Sequence, residues 1–324
     1  MESQALGLLD RVRRACREVV ARARQVVIRD ELLRQLAESL SPEDLALPEL
    51  DPTCHWLGHG ADTAAFMLML EAVNFGSGYF PDLRPHRGRQ GYFAVAGALY
   101  DRFADVGVPT AEELTTWSAE HCAQVFGQDP TSPAARELMG LFAAALRELG
   151  AHVLRRHDGR FVALVENAGG SAQRLVMLLA EIPGFADIAH YEELEVPFLK
   201  RAQLAAADLS LAFDGQGLGW FHDLDRLTTF ADDQVPHVLR TDGVLAYHDE
   251  LAGRIARGEL LAPGSPEEVE IRAATVVAVE RLAEELGTLG RPTWPMRVDY
   301  CLWNRGLEAR YSAGPRHRTL GRFY

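Results

Sequence analysis

Phe198-Leu199-Lys200-Arg201-Ala202-Gln203 opens an Ala/Leu-rich run, residues 202–212, in which Asp208 is the odd charge. Alanine and leucine are strong helix formers, and a helix that is apolar nearly all round belongs in a core. The stretch therefore predicts a buried helix. The central region is completed by Leu227-Thr228-Thr229-Phe230-Ala231-Asp232-Asp233-Gln234-Val235-Pro236-His237-Val238-Leu239. Two groups in it stand out. Lys200 is the only lysine of the chain, the other 32 of its 33 basic residues being arginine. Arginine keeps its proton and presents a planar fork, whereas lysine is a compact charge whose pKa moves readily. A chain that keeps a single lysine has a place for an amine or ammonium there. Asp232 sits between the apolar pairs Phe230-Ala231 and Val235-Pro236, a setting in which a carboxylate's reactivity is tuned. The residues alone leave the plainer readings open: Lys200 as the remainder of a compositional bias, Asp232 as a helix cap.

Outward from this centre, 324 residues allow a large core as one domain or two intimately packed ones. The hydrophobic fraction of 48% and charged fraction of 24% are those of a soluble globular protein. A net charge of −13 opposes docking on nucleic acid, which draws its nonspecific affinity from clustered cations. A small anionic substrate held by a few local cations stays open. Cys16, Cys54, Cys122 and Cys301 are far apart and form no CxxC pair, which argues against a structural zinc site or a disulfide scaffold. Asp10 and eight arginines by position 34 interrupt any signal-peptide core. The longest apolar run, Ala64–Leu70, is far too short to span a bilayer. The expected location is the cytoplasm.

Residues 3–40 carry apolar positions at helical spacing and predict one or two amphipathic helices; Ser41-Pro42-Glu43-Asp44 is a helix-start signal. In His55-Trp56-Leu57-Gly58-His59-Gly60-Ala61-Asp62, His55, His59 and Asp62 could be drawn as metal ligands, but the glycines favour a loop with hydrogen-bonded histidines. Ala61–Phe75 reads as a buried helix stopped by Gly76 and Gly78. Further helical patterns cover 91–103, 111–126, 137–154 and 175–182, and the one plausible strand run is Phe161–Val165, which could also belong to a helix. Gly215-Gln216-Gly217-Leu218-Gly219 follows no convincing strand and has the wrong spacing for a dinucleotide fingerprint. Residues 247–257 and 267–286 are long helices, the second with acidic residues in its first turn. The last segment, Val298–Asn304, places Asp299 beside Tyr300 and Trp303, and a basic tail, Arg316–Thr319, ends at a docked Phe323-Tyr324. The expectation is a mostly α protein with at most a few short strands. It is one compact helical domain over 1–324, with the helices of residues 1–50 packed on it.

Lys200-Arg201-Ala202-Gln203 with Leu227-Thr228-x-Phe230-Ala231-Asp232-x-x-Val235-Pro236 resembles the signature of the queuosine salvage proteins, the queuosine 5′-phosphate N-glycosylases. The likeness continues through Asn74-Phe75, Gly169–Ala172, Glu268–Arg272 and Asp299-Tyr300-x-Leu302-Trp303 to the C-terminal tyrosine, and so covers most of 55–324. Members often carry Tyr-Arg after the signature aspartate and Gln after the proline, where this chain has Asp233, Gln234 and His237. The eukaryotic-type Asn-Phe-x-Phe-Trp is here Asn74-Phe75-Gly76-Ser77-Gly78. The resemblance implies a fold like that of helix-hairpin-helix DNA glycosylases. It also implies hydrolysis of queuosine 5′-monophosphate to queuine and ribose 5-phosphate, with Asp232 and Lys200 as the catalytic pair and no cofactor or metal. Phe75, Phe230, Tyr300 and Trp303 are candidates for the walls of a base pocket, Asn74 and Asp299 for contacts to the base edge. Arg201, His55, His59 and His237 are candidates for the 5′-phosphate. The expected partner is this nucleotide, met by a monomer without direct nucleic-acid binding. Competing readings are a queuine or nucleotide carrier, a glycosylase acting on a flipped base in nucleic acid, and, remotely, a phosphohydrolase with a metal on His55, His59 and Asp62.

Overall fold

A computed structural model describes residues 7–312 and 314–324. In chain order the elements are α1 (Leu8–Arg22), β1 (Val26–Ile28), α2 (Asp30–Ser39), α3 (Ala61–Ala72), α4 (Tyr92–Val106), α5 (Ala111–Leu114), α6 (Ala119–Val125), α7 (Pro133–His157), α8 (Phe161–Glu166), α9 (Ala172–Ala180), β2 (Ile188–Tyr191), β3 (Leu194–Pro197), α10 (Lys200–Ala212), α11 (Gln234–Thr241), β4 (Leu245–Tyr247), α12 (Asp249–Ala256), β5 (Leu260–Leu261), α13 (Pro266–Thr288), α14 (Pro295–Arg305), α15 (Ala309–Ser312) and β6 (Arg318–Thr319). The helical class with a few short strands is thus as the sequence indicates. Among the described residues no helix is long and apolar enough to cross a membrane. The chain divides into two compact units, each assembled from separated segments.

The first unit holds residues up to 48, 188–200 and 225–320, and α13 is its spine. Ser265 starts that helix by accepting a hydrogen bond from Glu268 N; Pro266 takes the first position, where no N–H is needed, and Glu267 and Glu268 complement the dipole. Helices α1, α2, α11 and α14 pack around it. Val12, Cys16 and Val19 of α1 bury against Val269, Ala273 and Val276, and each fully buried aliphatic side chain contributes about 1.5–3 kcal/mol. Residues 3–6 of the expected first helix lie outside the described residues. Its continuation is broken by β1, which pairs antiparallel with β4. The break has a cause in Glu270, whose carboxylate accepts hydrogen bonds from the backbone N–H groups of Arg24, Gln25 and Val26 and from the Tyr191 hydroxyl. A β2–β3 hairpin completes this side. The helix-start signal at Ser41 folds only as a turn, with Ser41 N donating to Asp44 and Asp44 N to Ser41 Oγ.

The second unit holds 49–187, 201–224 and 321–324. Residues 63–72 of α3 are all buried, as the unbroken apolar run requires. Gly58 and Gly60 take φ of +80° and +58°, which confirms a loop at His55–Gly60. The pattern over 111–126 splits into α5 and α6, because Ser118 caps a new helix by accepting from His121 N. Phe161–Val165 lies in α8, so of the two states the sequence leaves open it takes the helical one, packed on α3 and α7. Such a short apolar run has no periodicity that separates the two states. The C-terminal end is docked, as anticipated. Tyr324 is buried, and its carbonyl accepts from the N–H of Gly76, a residue at φ +97°.

Candidate active site

Lys200 begins α10, and the residue before it, Leu199, sits at φ +53°. A buried leucine in the left-handed region is strained. That backbone turn sets the direction in which Lys200 leaves β3. Asp232 lies two residues ahead of α11, and its Oδ1 accepts the N–H of Gln234 at 2.9 Å, an Asx-type turn that fixes the side chain at the helix start. The exposed helix N–H groups there favour negative charge. Its Oδ2 stands 3.5 Å from Lys200 Nζ, and the two side chains keep 6% (Lys200) and 13% (Asp232) of their surface. An ion pair this dry does little for stability, since desolvation offsets the Coulomb attraction.

Arg272 of α13 ties the two segments that carry the pair. Its Nε donates to the carbonyl of Ala231 at 3.1 Å, its guanidinium lies 4.0 Å from the ring centroid of Phe198, and Nη1 pairs with Glu268 at 3.5 Å. Asp299 on α14 is nearly fully buried. Its Oδ1 accepts the N–H of Phe230 at 2.8 Å and the hydroxyl of Thr229. Burial raises its pKa to about 7; the Thr229 and Phe230 hydrogen bonds and Lys200 oppose the rise, and the charge of Asp232 adds to it. The rings of Phe230 and Tyr300 meet edge to face at 5.7 Å.

The first unit therefore unites Lys200, Asp232, Asp299, Phe230 and Tyr300. Trp303 is only half-engaged: its ring packs against the core around α13, and its carbonyl accepts from Gln234 Nε2. His237 does not present a cation. It is buried, burial lowers its pKa, and Nε2 bonds the carbonyl of Tyr311 at 2.6 Å. One residue read from sequence as part of a basic tail lies within electrostatic reach of Asp232. His317 is buried and held neutral, its pKa pushed down to about 3 by desolvation, while the charge of Asp232 pulls the other way. No spacing in the sequence links residues 232 and 317.

In the second unit, the phosphate role expected for Arg201 gives way to a structural one. Its guanidinium is buried and donates to the carbonyls of Ala72, Gly184 and Arg322. It lies 4.5 Å from the ring of Phe75 and 5.4 Å from that of Phe185. Burial lowers its pKa to about 9, which still leaves it charged at neutral pH. Phe75 is a core ring set edge-on to Phe142, not an open wall. Asn74 donates to both carboxylate oxygens of buried Glu71. Both ring nitrogens of His55 have protein partners, the Asp51 carbonyl at 2.9 Å and the Tyr92 hydroxyl at 2.8 Å, so it is not poised for a phosphate. His59 is exposed and stacks on Trp56.

A carboxylate beside a desolvated ammonium, with a second carboxyl group near neutrality, can stabilise a cationic transition state and move a proton. Comparison with known proteins names the chemistry. The family model for the queuosine salvage protein matches residues 54–324. A Sphaerobacter thermophilus protein named queuosine 5′-phosphate N-glycosylase/hydrolase is 38% identical over 98% of both chains. A Mus musculus protein of the same name is 32% identical over 96% of this chain and 98% of its own, and one from Dictyostelium discoideum is 32% identical over 81% and 78%.

Proposed function

The chain belongs to the queuosine salvage protein family, and from that membership we infer how its own residues carry out the family's reaction. It is an N-glycosidase that hydrolyses queuosine 5′-phosphate, freeing queuine for salvage.

Breaking the glycosidic bond leaves positive charge on the ribose ring, an oxocarbenium-like state. Asp232 stands against the anomeric carbon, stabilises that charge, and takes a proton from the attacking water. Lys200 keeps the carboxylate in place and stabilises negative charge building on the departing base. A nucleophilic role for Lys200 is not needed for simple hydrolysis. Queuine is a 7-deazaguanine without N7, so the base cannot leave protonated there, and stabilising it from outside matters more than for guanosine. Phe230 and Tyr300 flank the base and Asp299 meets its edge. The supporting observation is the desolvated Lys200–Asp232 pair at 3.5 Å, built on a strained residue and an Asx turn.

The likeness to helix-hairpin-helix DNA glycosylases belongs to this reading too, supported by an amine at a helix start facing an acid. So do action on the free nucleotide, a monomeric cytoplasmic enzyme, and a single glycosylase domain running through both units, as the span of the family match suggests. The deciding experiment is chromatography of queuosine 5′-monophosphate after incubation with the protein. Free queuine and ribose 5-phosphate are expected; intact nucleotide would make the protein a carrier. Faster release from an oligonucleotide than from the mononucleotide would move the reading to nucleic acid.

A further inference from the structure

We propose that Asp299 is the acid of this site, the group that hands a proton to the departing base while Asp232 serves the sugar and the water. The proposal rests on the N-glycosidase reading and deepens it. Three observations carry it. Asp299 is 3% exposed, yet among the described residues both of its hydrogen bonds, from Phe230 N and the Thr229 hydroxyl, go to one oxygen, Oδ1. Oδ2 is the oxygen left to hold a proton. Backbone and hydroxyl fix the carboxyl plane, so the O–H has a set direction. The same Phe230 whose N–H anchors Asp299 packs its ring on Tyr300, which puts the acid at the edge of the aromatic pair that flanks a base.

The electrostatic surroundings agree. Two carboxyl groups in one site divide into acid and base when their environments differ. Asp232 is at a helix start facing Lys200, whereas Asp299 is sunk in the core with its pKa near 7. Of the charges on neighbouring elements, Asp232 ahead of α11 raises that value and Lys200 at the start of α10 lowers it. On α13, Arg272 pairs with Glu268. Burial keeps His237 on α11 and His317 near the C-terminus uncharged.

The step balances. The C1′–N bond breaks and its electron pair stays with the base; the proton of Asp299 Oδ2 passes to the base, which leaves neutral. Water adds through oxygen to C1′ and gives its proton to Asp232. Exchange with solvent returns a proton to Asp299 and removes one from Asp232. The sum is nucleotide plus water giving base plus ribose 5-phosphate. General acid catalysis of this kind is worth about 10²–10⁴-fold in rate.

The test compares two leaving groups in wild type and Asp299→Asn: queuosine 5′-phosphate, and 4-nitrophenyl ribofuranoside 5-phosphate, whose phenolate departs without a proton. The expected result is a loss of ~10²–10⁴-fold on the first and less than ~10-fold on the second. In wild type, kcat/KM should also fall as pH rises above about 7, since the protonated acid is the active form, and the variant should lack that limb. Equal losses on both substrates, or none on the first, would overturn the proposal. If Asp299→Asn does not fold, Thr229→Val takes its place. Removing a donor that favours the ionised form should move the limb to higher pH, and an unmoved limb would sink the idea. Wild-type protein that releases no queuine would overturn the functional reading itself, and this proposal with it.

Discussion

Arg272→Met probes the brace behind the Lys200–Asp232 pair. The side chain is 2% exposed in an ion pair with Glu268, which is 3% exposed. Three of its contacts go at once. The Ala231 carbonyl loses a charged donor, about 1.5–3 kcal/mol. The Phe198 ring loses a stacked cation, about 2 kcal/mol when desolvated. Glu268 loses a buried partner, about 3–5 kcal/mol for breaking such a pair from one side. These effects share atoms and do not add, so the net loss is on the order of 3–5 kcal/mol. Methionine keeps most of the packing. Urea unfolding followed by circular dichroism measures the loss as a lower midpoint at unchanged slope. Much of the damage is the stranded carboxylate, so Glu268→Gln placed on Arg272→Met should recover more than about 1 kcal/mol. Because Ala231 precedes Asp232, turnover at a temperature where the variant is folded should fall ~10²-fold as the carboxylate shifts. A stability loss under about 1 kcal/mol, or a double variant weaker than the single one, would refute this account of the brace.

Arg201→Lys should lower stability by about 2–4 kcal/mol in thermal melting, because a point-like ammonium cannot serve the three carbonyls that the planar fork reaches; an unchanged Tm would contradict it. Asp299 also predicts a pH dependence of stability. Its pKa rises from about 3.9 unfolded to about 7 folded, so the folded state binds more protons between those values. Its contribution is complete below about pH 4 and is lost as pH rises through 7. His317 opposes it, since a histidine held neutral down to about pH 3 makes acid unfavourable. Between about pH 4 and 6.5 the two slopes are opposite in sign and similar in size, so Asp299→Asn should leave the His317 slope uncompensated and make the unfolding free energy rise more steeply with pH, read by urea titration; an unaltered slope would remove Asp299 as a contributor.

The long helices were legible because their apolar periodicity, caps and prolines agree, as at Ser265-Pro266 before α13. Phe161–Val165 was not, since a five-residue apolar run fits either state until its neighbours are known. Ser41–Asp44 carries a cap signal whose hydrogen bonds form without a helix behind them, a reminder that capping is local. Lys200 could be singled out because composition alone isolates it, and Asp232 because apolar residues surround it. The raised pKa of Asp299 could not be foreseen, as it depends on burial and on a charge 67 positions away. Arg201, next to Lys200, looked like a ligand for an anion. Burial turned it into a clamp on backbone carbonyls, which no pattern of residue types reveals. His317 is recruited by the folding of the C-terminal segment, and only the fold brings it near Asp232.

Single-turnover release of queuine by Asp232→Asn, Lys200→Met and the double variant tests the core of the account most directly. Each single change should slow release ~10²–10⁴-fold with the fold intact, and the double variant should be little slower than the worse single one, because the two groups act as a unit. Near-normal release by either single variant, or losses that multiply in the double, would contradict it.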